Sequence, residues 1–177
     1  MKFNSSGICD VVRLGTTGWP ETPSVSRRTI KHKLKWRYRL ANAHALPPQG
    51  GHLIGHGLVV VDIKEFSRLL SLPANAFLNR YFTESELSAA GDGVTRAEKL
   101  AGRFAIKEAV LKALYVGWGD GVSFTDVETR THVTGAPSVV LHRKLAALQK
   151  KRNIVSWLVS SSHTDIVAVG SAIALGN

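Results

Sequence analysis

The sequence predicts an α+β domain in which one long central helix packs on a mainly antiparallel sheet. Three observations predict it. A short β-branched run, residues 58–61, ends on Asp62. Residues 96–115 read as a long helix with few positions that can face only water. Two hairpins follow, one turning through residues 134–137 and one through the polar stretch 162–165.

Each element follows from local signals. Pro47, Pro48, Gly50 and Gly51 break any regular structure, so the folded domain is expected over residues 51–177, preceded by a basic, disordered extension over 1–50. Residues 58–61 read as a buried strand that delivers Asp62 to the start of a helix over 63–70, where Asp62 serves equally well as N-cap or as ligand. Pro73 opens a second short helical segment. Thr83 with Glu86, and Thr95 with Glu98, both have capping-box spacing and start two helices. The second is the long one, ending near Gly117. Residues 123–130 and 138–141 are the strands of the first hairpin, 142–151 a short amphipathic helix, and 154–161 and 166–175 the strands of the second.

The chain has 177 residues, 44% of them hydrophobic, and a formal net charge of +10. Nine lysines and arginines stand against two acidic residues in the first fifty positions. That basic run reads as a solvated segment, an anionic-partner tether or a transit-like peptide. The one cysteine, Cys9, excludes an intrachain disulfide and a cysteine zinc cage, which fits a cytoplasmic protein. No apolar run approaches the roughly 20 residues that span a bilayer. Phosphate-loop, dinucleotide, serine-hydrolase and zinc-protease signatures are all absent.

Chemistry concentrates on the long helix. Ala101, Ala105, Glu108 and Lys112 fall on one stripe, so a ligand can approach closely and meet a carboxylate and an ammonium one turn apart. An ordinary helical Glu–Lys pair explains the same spacing. Asp62 and Glu108 would make two hard oxygen ligands of the kind magnesium takes, with Arg103, Lys107 and Lys112 available for a phosphate. His163 sits in a polar island between two apolar strands and reads as a turn residue. Trp118 and Trp157 read as packing residues.

Four stretches together carry a resemblance: Asp62-Ile63-Lys64-Glu65, the run from Arg80 through Thr83 and Glu86 to Leu87, RFAIKEAVLKAL over 103–114, and Ser162-His163-Thr164-Asp165. In order and spacing they resemble the holo-(acyl carrier protein) synthases, the short-chain 4′-phosphopantetheinyl transferases, over residues 55–175. The resemblance implies a homotrimer with coenzyme A in clefts between subunits, and Mg²⁺-dependent transfer of the phosphopantetheine arm to a serine of apo acyl carrier protein, releasing 3′,5′-ADP, in fatty acid and lipid biosynthesis. It implies Asp62 and Glu108 as metal ligands and Lys112 on the phosphates. Arg103, Lys107, Lys112, Gly117 and His163 line the CoA site, His163 reaching it from the adjacent subunit. Arg68 is where the acidic carrier protein docks. A metal-organised water or Glu108 takes the serine proton.

Two departures from the family pattern add bulk near the expected cleft: Val60 replaces a glycine, and Tyr115-Val116-Gly117 stands where Gly-Thr-Gly is usual. A catalytically inactive trimeric homologue that binds CoA or carrier protein is therefore the alternative reading. Non-specific nucleic-acid contact through the basic run is a third, compatible with either.

Overall fold

A computed structural model describes residues 51–71 and 76–177, so the expected extension over 1–50 and Pro73 lie outside the described residues. The elements run β1 (His52–Asp62), α1 (Ile63–Leu70), α2 (Ala76–Tyr81), α3 (Glu84–Ala90), α4 (Arg96–Ala113), β2 (Val127–Thr131), β3 (Pro137–Leu141), α5 (Arg143–Lys151), β4 (Ile154–His163) and β5 (Val167–Gly176). Strands β1, β5 and β4 form one antiparallel sheet in that order, and β2 and β3 form a separate antiparallel hairpin. The α+β architecture is as expected.

Helix α4 lies across the sheet because glycines let it come down onto the strands. A Cβ on Gly55 or Gly57 would overlap the carbonyls of Ala113 and Ala109, and one on Gly170 would meet the backbone at Ala105 and Ile106. Helix and strand therefore touch backbone to backbone, which only glycine permits. Ten of the 18 residues of α4 are buried, among them Leu100, Ile106, Val110 and Leu111. Val59, Val159, Ala172 and Ala174 pack from the sheet, and Leu141, Leu145 and Ile154 close the same core. A second cluster joins Ile63 and Phe66 of α1 to Phe82, Leu100 and Ala168.

The predicted capping box at Thr83 forms: the Thr83 hydroxyl accepts from the Glu86 amide, and Glu86 accepts from the Thr83 amide. The one at Thr95 does not. Its backbone sits at φ −90° and ψ 8°, not in the extended region an N-cap needs, and its side chain makes no cap bond. The expected strand from residue 123 begins only at Val127. Before it, Asp126 accepts from the Ser123 amide at 2.9 Å and folds 124–126 into a 3-10 turn. His163 is not a turn residue either, because it ends β4 and pairs with Ala168.

The other face of the sheet carries no layer within the described residues. Leu58 and Val60 on β1 are exposed there, beside their half-buried pairing partners Ser171 and Val169 on β5.

Candidate active site

Asp62 is the last residue of β1 and the N-cap of α1. Its Oδ1 accepts from the Glu65 amide at 2.9 Å, and the side chain makes no other hydrogen bond among the described residues. It is exposed. The sequence left N-cap and ligand as alternatives, and the cap uses one oxygen and leaves the other open.

Glu108 and Lys112 stand on the flank of α4 that faces the free edge of β1. Lys112 Nζ donates to the Leu58 carbonyl at 3.2 Å. Helix and strand run in opposite senses, with Ala113 against Gly55 and Ala109 against Gly57, so Glu108 lies one turn closer to the Asp62 end. Its Oε1 accepts from Trp118 Nε1 at 3.3 Å. Burial pushes the Glu108 carboxyl above the usual carboxylate range, opposed by the Trp118 hydrogen bond and the charge of Lys112. Sequence reasoning treated Trp118 as packing. It does stack on Phe124, but it also fixes the carboxylate. Of the expected ligand-facing stripe, only Glu108 and Lys112 remain available, since Ala101 and Ala105 are completely buried.

Two carboxylates, each with one oxygen outside its hydrogen bond, suit a hard cation that fills its shell with water and phosphate oxygens. Among the described residues there is no group of three or more His, Cys, Asp or Glu that could hold a metal ion.

Arg103 lies on a different flank of α4, and His163 ends β4. With Lys99, Thr129, Thr131 and Ser161 they line a pocket of about 160 Å³. Arg103 Nη1 donates to Thr129 Oγ1 at 3.1 Å and Nη2 to Thr131 Oγ1 at 3.3 Å, while its buried Nε has no partner among the described residues. The step from 103 to 108 turns about 140° around the helix, which puts Arg103 and Glu108 on different faces of α4.

Lys107 is a correction. It is 0% exposed, and its Nζ meets Glu86 Oε2 at 2.7 Å, the Val127 carbonyl at 2.7 Å and the Phe124 carbonyl at 3.1 Å. All three ammonium protons are engaged inside the protein, so Lys107 does not line a ligand site. Its partner Glu86, which the sequence marked only as a cap, also accepts from the Thr129 amide and hydroxyl at 2.8 and 2.7 Å. The Gly117 amide is likewise engaged, donating to Asp120 Oδ2 at 2.8 Å. Arg68 is exposed on α1 and paired with Glu65 at 3.0 Å.

The two bulky departures do not fill the flank beside β1. Val60 is 63% exposed on the open sheet face, and Tyr115 is 77% exposed at φ +50°, a backbone conformation natural to glycine and strained for tyrosine.

A family model for the 4′-phosphopantetheinyl transferase superfamily matches residues 58–168. This defines the class as a transferase of the phosphopantetheine group. A holo-[acyl-carrier-protein] synthase from Verminephrobacter eiseniae is 36% identical over 117 residues, covering 66% of this chain and 89% of its own length. The holo-[acyl-carrier-protein] synthase of Helicobacter pylori, solved in complex with coenzyme A, superposes with a TM-score of 0.60 at 29% identity, over 67% of this chain and 98% of that one. One from Bacillus anthracis, in complex with CoA (3′,5′-ADP), gives 0.59 at 28% identity, over 71% and 98%. The chain belongs to the holo-[acyl-carrier-protein] synthase family and is a phosphopantetheinyl transferase.

Proposed function

We propose that this protein transfers 4′-phosphopantetheine from coenzyme A to a serine of apo acyl carrier protein, with Mg²⁺ held by Asp62 and Glu108, and releases 3′,5′-ADP. The observation that carries the reading is the run of α4 along the edge of β1, with Lys112 bonded to the Leu58 carbonyl and Glu108 one turn nearer the strand end that carries Asp62. A bound Mg²⁺ supplies positive charge against the pyrophosphate oxygens. Lys112 adds a second positive charge for the oxygen that leaves. The serine oxygen bonds to the β-phosphorus, the phosphoanhydride bond to the ADP half breaks, and the serine proton passes to water or to the Glu108 carboxylate. Arg68, exposed on α1, meets the acidic carrier protein and steers its approach.

The reading includes a homotrimer, with Arg103 and His163 of one copy completing the site of the next. Their separation from Glu108 around α4 supports this, as does the uncovered face holding Leu58 and Val60. It also includes a cytoplasmic setting and a role in lipid biosynthesis. For location, the structure adds only that no described helix is long and apolar enough to cross a membrane.

Incubation with CoA, Mg²⁺ and apo carrier protein tests the reading. The carrier protein should gain the mass of the phosphopantetheine arm, and chelation of the metal should stop the gain. A folded enzyme that leaves the carrier mass unchanged overturns the reading in favour of an inactive homologue.

A further inference from the structure

Arg103 is held at the end of a hydrogen-bonded relay that begins in the core. The hydroxyl of Thr129 has one proton, and it lies 2.7 Å from Glu86 Oε1, an acceptor-only atom. Its lone pairs therefore face Arg103 Nη1, 3.1 Å away. Glu86 has no freedom of its own, because its two oxygens take the Thr83 amide, the Thr129 amide and hydroxyl, and the Lys107 ammonium. Lys107 is locked in turn by the Phe124 and Val127 carbonyls. Both charged members are 0% exposed. A buried, satisfied network of this kind has one arrangement, so the direction of each bond in it is fixed.

The placement of Arg103 does not serve stability by itself. Burial disfavours its charged form, only partly offset by the charge of Glu86, and its buried Nε stays unpaired. A guanidinium tolerated at that cost, and aimed beside His163, is organised for an anionic guest.

We infer that Thr129 is a positioning residue for CoA binding, which carries the rigidity of the buried Glu86–Lys107 pair to the Arg103 guanidinium. This rests on reading the Arg103–His163 pocket as part of the CoA site. Lys107 then acts on the cofactor through three other residues, Glu86, Thr129 and Arg103, and touches nothing outside the protein.

T129V tests it, since valine keeps the volume and the amide bond to Glu86 and removes only the hydroxyl. The Kd for CoA should rise roughly tenfold, the loss of one charge-assisted bond, while kcat at saturating CoA holds within about twofold. T129S should restore wild-type affinity. T131V, which removes the second anchor without touching the buried pair, should weaken CoA binding in the same direction. On an R103A background, T129V should add nothing. If T129V binds CoA as wild type does while R103A binds it poorly, the relay has no role and the inference is overturned. If R103A also binds CoA normally, the pocket is not part of the CoA site and the underlying reading falls with it. If T129S fails to rescue, or T129V lowers kcat as much as affinity, the residue is merely structural.

Discussion

Glu108 sits between two demands, burial that favours its neutral form and a proposed cation that needs its charge. E108Q keeps the shape and the Trp118 contact but removes the charge. It should lower transfer by about a hundredfold or more, the scale seen when a preorganised electrostatic contact is lost, with the melting temperature near wild type. Carrier-protein mass and thermal unfolding read the two effects separately. Glu128 gives a pH signature unrelated to catalysis. Its carboxylate is bonded by Arg130 at 3.2 Å and by His142 at 2.8 Å, and these contacts, Arg130 first, hold its pKa below the usual range. A depressed carboxylate pKa means stability that is fully present above the unfolded value and is lost as pH falls through the folded one. Unfolding measured at mildly acidic and then more acidic pH should show this loss in the wild type and a flatter acid branch in E128Q.

Helix α4 shows how much of the fold was legible and where legibility stopped. The start of α4, the strand ending on Asp62, the box at Thr83 and the existence of both hairpins follow from local signals and are found, while several strand and helix bounds differ from those expected. Which side of α4 meets solvent does not follow, because a helix buried at ten of 18 positions has no polar face for periodicity to find. That is why Lys107 reads from sequence like Arg103 and Lys112, although the fold seals it against Glu86. The pairing spans two elements, and no local rule links them. K107M should leave Glu86 buried and uncompensated and cost about 3 to 5 kcal/mol in chemical denaturation. Gly57 was equally silent in the sequence. G57A drives a methyl into the Ala109 carbonyl and should cost about 3 kcal/mol, since a backbone contact has no rotamer to relax.

At the scale of the molecule, the described protomer leaves Leu58 and Val60 uncovered and divides the site residues between two flanks of one helix. Light scattering should report three copies. Specific activity should fall as the protein is diluted below the concentration at which the assembly dissociates. If Glu108 of one copy and Arg103 of the next share a cleft, as proposed, two impaired variants have the means to repair each other. Co-expressed R103A and E108Q chains would form some junctions that unite an intact carboxylate from the first with an intact guanidinium from the second. Activity in the mixture should exceed that of either parent alone, genetic complementation written into the geometry of a single helix.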